Sequence, residues 1–337
     1  MIDDVFVFDL VVHLHDMSEA NLLAGAPWAR HVRSMSLGLG EALRPLHGDP
    51  ESFDRRLSAE TMGRMVFGDP PGTEPTDIAM AQVVPVFDWY DDWWAPVDLQ
   101  AEFARAYPDR ALFCGGVDPG FRGVESALEH LDWQVIDRGA VSLKFYNGHV
   151  DRGWRCDDEK LAYPLYERAR DLGIDVLQFH KGNPFGTENL EQLHPGDLQR
   201  AARDFPDLTF VIHHLAMPYF DECVNIAARF PNIHLALSAT VNFTPVRPRL
   251  IQRQVGELLA TVGADRLLWG SEAALAGPPR PYLEAFMALE IPDDLREGYG
   301  YPQITKDDKR KILGLNAARL FGVDVPHSCS GAGDERS

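Results

Sequence analysis

Five polar side chains each follow a short apolar run: His13 after VFVFDLVV, Lys144 after AVSL, His180 after IDVLQF, His214 after LTFVIH and Glu272 after RLLWGS. Apolar runs of that length read as buried strands, so each polar residue stands where a strand ends. Polar groups at the carboxyl ends of successive strands are how a (β/α)8 barrel assembles an active site. Imidazoles, an amine and a carboxylate converging there would make a metal site, and that chemistry marks the chain as an enzyme. His13 and His15 share one strand face with Asp9 and Val11, while Asp16 leaves that face unless the strand has already ended. An ammonium at Lys144 is expensive inside a barrel. Either it pairs with a carboxylate such as Glu272, or CO2 carbamylates it and turns it into an anionic bridge between two metal ions. His213 and His214 are adjacent, so one of them faces the site and the other packs against a helix while the strand persists. Glu272 suits a ligand, a general base for metal-bound water, or both.

Strands are expected at 5–12, 79–86, 111–117, 141–146, 174–179, 208–213, 233–238 and 266–270, alternating with helices at 98–107, 122–137, 158–172, 197–204, 218–230, 248–262 and 279–289. Short apolar strands alternating with amphipathic helices predict a parallel sheet buried on both faces. Eight of them predict a closed barrel, with a doubly wound open sheet as the alternative. The rhythm breaks at residues 17–77, where Gly-Pro-Asp clusters and a helical fragment at 51–66 suggest an elaborated loop after strand one that caps the barrel mouth. Residues 305–321 read as a C-terminal helix with Thr305 as N-cap and Asp308 at the capping-box position. The barrel is expected to occupy 1–324 as one domain, and 325–337 to be a disordered tail.

Of the 337 residues 45% are hydrophobic, enough for a large core. A net charge of −19 argues against nucleic acid and anionic membranes as partners. No apolar run is long enough to span a bilayer, and MIDDVFVFD is unlike a signal peptide. Cys114, Cys156, Cys223 and Cys329 form no CxxC pair, which fits reduced thiols in a cytoplasm.

VFDLVVHLH, DVLQFHKG, FVIHHLAMPYFDE, LLWGSE and ILGLNAARLFG, in that order, resemble the amidohydrolase superfamily, in particular the branch of aminocarboxymuconate-semialdehyde and γ-resorcylate decarboxylases. The resemblance spans nearly the whole barrel apart from 17–77. It selects His214 over His213. It implies a divalent metal held by His13, His180, His214 and Glu272, with Glu272 and His180 as the catalytic pair. The chain departs from the family pattern at Val11, which replaces the first histidine of the strand-one pair, and at Glu272, which replaces an aspartate. Asp9, His15 and Asp16 are left as further candidate ligands. The spacing from Asp9 through His13 to Asp16 is similar to that of dinuclear iron or manganese hydroxylases of the same superfamily, in which a carbamylated Lys144 would be the bridge.

Two activities are therefore implied. One is hydrolysis or non-oxidative decarboxylation of a small carboxylated compound, through a zinc-type metal-activated water. The other is O2-dependent hydroxylation at an iron or manganese pair. A third reading is a barrel without chemistry that stabilises a related subunit; a homo-oligomer is the ordinary expectation. FDWYDDWW (87–94) offers Asp88 and Trp89 to a substrate, and Arg152, Arg155, Lys181 and Arg247 lie in loops where they could hold a carboxylate.

Overall fold

Eight parallel strands run in chain order around one sheet: β1 Phe8–Val12, β2 Ile78–Gln82, β3 Ala111–Gly116, β4 Ser142–Tyr146, β5 Val176–His180, β6 Thr209–Ile212, β7 Ile233–Ala236 and β8 Leu267–Leu268. The sheet closes on itself. Leu10 N–H donates to the Trp269 carbonyl at 3.1 Å and Glu272 N–H to the Val11 carbonyl at 3.0 Å. The molecule is therefore a (β/α)8 barrel. This computed structural model describes residues 1–47 and 56–326; part of the 51–66 expectation, Cys329 and most of the expected tail lie outside the described residues.

Alternation along the strands explains both layers of the core. Leu143, Phe145, Leu177, Phe179, Phe210 and Ile212 point outward under the surrounding helices, with Phe179 stacked between Phe145 and Phe210 at 5.2 and 5.5 Å. Their partners on the other face fill the barrel. Met80, Cys114, Val176, Val211, Ala236 and Leu268 make an apolar plug, against which the C-terminal helix packs. Above the plug lies a polar layer. Gln82 Nε2 donates to Gln178 Oε1 at 2.9 Å, and Lys144 Nζ donates to Gln82 Oε1 at 3.2 Å. The last layer opens on the mouth.

The expected helices are present to within a few residues, and Thr305 and Asp308 form the capping box. Helical segments outside the expected ranges are also present among the described residues. Residues Asp293–Tyr299 form one, and α1 (Ala29–His47) occupies the insertion ahead of α2 (Ala59–Phe67). Gly38, Gly40 and Pro45 give α1 a poor intrinsic propensity, so packing of its apolar face rather than local preference forms it. The N-cap of α2 is Ser58, whose hydroxyl accepts from Thr61 N–H at 3.1 Å.

Candidate active site

At the carboxyl ends of the strands a cavity of about 270 Å³ is lined by His13, Lys144, His180, His214 and Glu272 together with Trp94, Tyr146, Asn183 and Asn242. The backbone there is bent to purpose. Asn183, His214, Leu215, Ala216, Ala239 and Glu272 all take positive φ, a conformation that non-glycine residues adopt at a cost and that gathers at functional sites. Gly182 serves the same end. At φ +62, any Cβ there would come within 2.2 Å of the Ala216–Met217 backbone. Its absence lets the loop after β5 lie on the loop after β6, and brings His180 to His214.

The histidine tautomers follow from their partners. His13 Nδ1 faces the Gln82 carbonyl at 2.8 Å and His180 Nε2 the Asn183 carbonyl at 2.9 Å. A carbonyl only accepts, so both nitrogens carry protons, and His13 Nε2 and His180 Nδ1 are left as lone pairs. His214 Nδ1 lies 3.2 Å from both the carbonyl and the hydroxyl of Ser238, and its Nε2 lies 3.0 Å from His180 Nδ1. When His214 donates to the carbonyl, two lone pairs face each other and call for a proton or a cation. When the hydroxyl donates instead, His214 supplies that proton itself. A separation of 3.0 Å is also what two nitrogens reach on one ion at about 2.0–2.1 Å each.

Electrostatics keep His180 and His214 neutral. Burial pulls His180 well below its usual range and His214 down to about 4 against the pull of Glu272. Burial would raise Glu272, but His13, His214 and Lys144 outweigh it and hold the carboxyl at about 2. Burial brings Lys144 down to about 7, opposed by Glu272. Glu272 stands 3.6 Å from His13 Nε2 and 3.6 Å from His214 Nδ1, ion-pair rather than hydrogen-bond distances, and its buried Oε1 has no hydrogen-bond partner. Neutral imidazoles with free lone pairs and an orphaned carboxylate oxygen are a donor set that suits a divalent cation. Among the described residues no three His, Cys, Asp or Glu side chains are already gathered as a metal shell. The donors fit, and an ion would have to draw them together.

The other expected site residues stand elsewhere. Asp9 faces the seam between β1 and β8, where its Oδ1 accepts from Ser271 N–H at 2.8 Å. His15 is buried behind Trp94, ring centroids 5.3 Å apart. Asp16 pairs with Arg56 at 3.0 Å and opens the insertion by accepting from Ser18 N–H. A second metal ion would need these residues, and none lines the cavity. Asp88 instead holds His149 at 2.7 Å, and Asp118 grips the opposite ring nitrogen at 2.7 Å. Trp89 packs on Phe185, and the segment sends Trp94 to the cavity in its place. Lys181 is buried in a pair with Asp197 at 2.8 Å, Arg152 donates to the Phe121 carbonyl, Arg155 pairs with Asp157, and the Arg247 guanidinium lies 6.0 Å from the Phe243 ring. His213 does not pack against a helix. β6 ends at Ile212, alternation ends with it, and His213 Nε2 reaches Gln178 Oε1 inside the barrel at 2.8 Å. Tyr146 was missed although it lies two residues beyond Lys144 on the same strand face; its ring stacks on His180 at 3.8 Å.

The amidohydrolase family model matches residues 12–323. The chain belongs to the amidohydrolase family. This amidohydrolase is thus an enzyme of that superfamily. It is 32% identical over 97 residues to Protein fluG of Emericella nidulans, a stretch covering 28% of this chain and 11% of that one, so the match spans about a tenth of the curated relative. Its fold is shared with an uncharacterised TIM-barrel protein of Bordetella bronchiseptica (22% identity, 95% of this chain and 99% of the other, TM-score 0.65). It is also shared with a 5-carboxyvanillate decarboxylase mutant of Novosphingobium aromaticivorans solved with manganese and 3-methoxy-4-hydroxy-5-nitrobenzoic acid (13% identity, 95% and 98%, TM-score 0.57). Among the described residues of the amidohydrolase, no helix is long and apolar enough to cross a membrane.

Proposed function

We propose that the protein is a divalent-metal-dependent carboxy-lyase or hydrolase of a small carboxylated organic compound. The observation that carries this reading is the convergence of His13, Lys144, His180, His214 and Glu272 on one cavity with imidazole lone pairs and a carboxylate oxygen unspent. His13, His180, His214 and Glu272 would hold the ion, which when bound supplies Lewis-acid charge and a water acidified toward neutrality. His180 is held in place by the Asn183 carbonyl and by the Tyr146 ring. Glu272, held anionic by its neighbours, faces Lys144 and the imidazoles and orients the group that gives up a proton. Trp94, Tyr146 and Phe185 keep bulk water from the reacting atoms. Support from relatives is of the same kind: a decarboxylase of this fold has been solved with manganese.

Metal content per chain, measured by mass spectrometry on protein purified without chelator, tests the reading together with turnover of carboxylated aromatics and amides. About one divalent ion per chain is expected. His180→Ala should lose both the ion and turnover, and a variant that keeps both overturns the assignment.

A further inference from the structure

The cavity wall carries information about its ligand that the metal donors leave unused. Val84, Trp94, Phe185 and Leu275 make it apolar for most of its height, and Met35 and Leu39 of α1 continue it to the rim, each still 44% exposed. Apart from the imidazoles, Lys144 and Glu272 are the only charged side chains lining it among the described residues. An ammonium can donate three hydrogen bonds. Lys144 makes one, to Gln82 Oε1 at 3.2 Å, at the cavity floor. Every basic residue that the sequence offered as a carboxylate anchor is engaged elsewhere.

We infer that Lys144 anchors the single anionic group of the ligand, and that the ligand's far end is uncharged and apolar: a flat monoanion, in contrast to 5-carboxyvanillate with its two carboxylates. The inference rests on the proposed function only in taking this cavity as the substrate site. Lys144 Nζ has donors to spare where an anion descending the cavity ends its travel. Trp94, Tyr146 and Phe185 offer faces and edges to a planar ring. A second carboxylate at the far end would sit on the apolar wall with no cation to receive it, which burial penalises heavily.

Calorimetric titration of the full chain with 2-naphthoate, 2-naphthamide and 2,6-naphthalenedicarboxylate tests this without a known substrate. Binding of 2-naphthoate is expected to be at least about tenfold tighter than that of either other compound, the gain a charge-assisted hydrogen bond gives. In Lys144→Met the preference of naphthoate over naphthamide should fall below about threefold. The comparison of probes on the unaltered chain stands even where that variant does not fold. Equal binding of the dicarboxylate, a naphthoate preference that survives Lys144→Met, or no binding of naphthoate overturns the anchor. So does a carbamate carbon seen by 13C NMR in labelled bicarbonate and lost in the variant. Metal content and turnover do not enter, so a metal-free protein with the expected preferences sinks the proposed function alone. A metal-loaded enzyme that takes the dicarboxylate sinks only the anchor.

Discussion

At the scale of single residues, the site is built from groups whose partners leave one valence free. Gly182 is the least replaceable of its supports. Gly182→Ala should cost about 1–3 kcal/mol from positive φ and the collision with Ala216, and should abolish turnover by parting His180 from His214. Urea denaturation and initial rates on the same preparation check both halves. Asp9 poses a different question. Its buried carboxyl is pushed up to about 7 by burial, against hydrogen bonds from Ser271 and Val11. A folded-state pKa raised above the unfolded value means stability present below about 4 and lost as pH rises through about 7. The loss should be on the order of 4 kcal/mol between those limits. Asp9→Asn should flatten that slope between pH 4 and 7 while keeping the fold; an unchanged slope would reject the assignment.

At the scale of elements, the loops after β2, β3 and β4 are joined by one imidazole. His149 lies between Asp88 and Asp118 and stacks on Phe87 at 4.2 Å. Burial opposes its charge, but Asp118 and Asp88 overcome that and raise it to about 10. The clamp is therefore intact below about 6.5 and is lost only as pH rises through about 10. His149→Ala leaves a fully buried Asp118 without its cation and should destabilise by about 3–5 kcal/mol. A thermal melt that matches the parent protein would contradict this.

The elements also show how far the sequence could be read. The eight strands were legible because apolar runs and glycine stops are local signals, and their ends pointed to His13, Lys144, His180, His214 and Glu272. Side chains past a strand end were less so. His213, Asp16 and Asp88 leave the two-residue period once the backbone turns, and their direction is then set by tertiary partners. Helix α1 was illegible for a related reason, since its glycines deny it a local preference and only the barrel mouth gives it a face to cover.

At the scale of the whole molecule, a net charge of −19 surrounds a cavity that is proposed to take an anion. The field repels such a ligand at long range. Raising ionic strength from about 10 mM to 150 mM shortens the screening length from about 30 to 8 Å and should increase kcat/KM severalfold. Stopped-flow or steady-state rates across a salt series would show it; a fall in rate with salt would point to a cationic ligand, and no change to a neutral one.

The seam between β1 and β8 sets a timetable. Asp9 waits for Ser271, a partner 262 positions later, and β8 itself is only Leu267–Leu268. During synthesis the first strand therefore leaves the ribosome with its edge and its acid unmatched, and stays so until nearly the whole chain has followed. Contacts that distant are slow to form and leave strand edges open to the wrong neighbour. The cavity floor and its ligand set are thus among the last parts of the protein to come into existence, and a nascent chain that stalls before residue 271 lacks both the partner that closes β1 and the C-terminal helix that packs against the barrel plug.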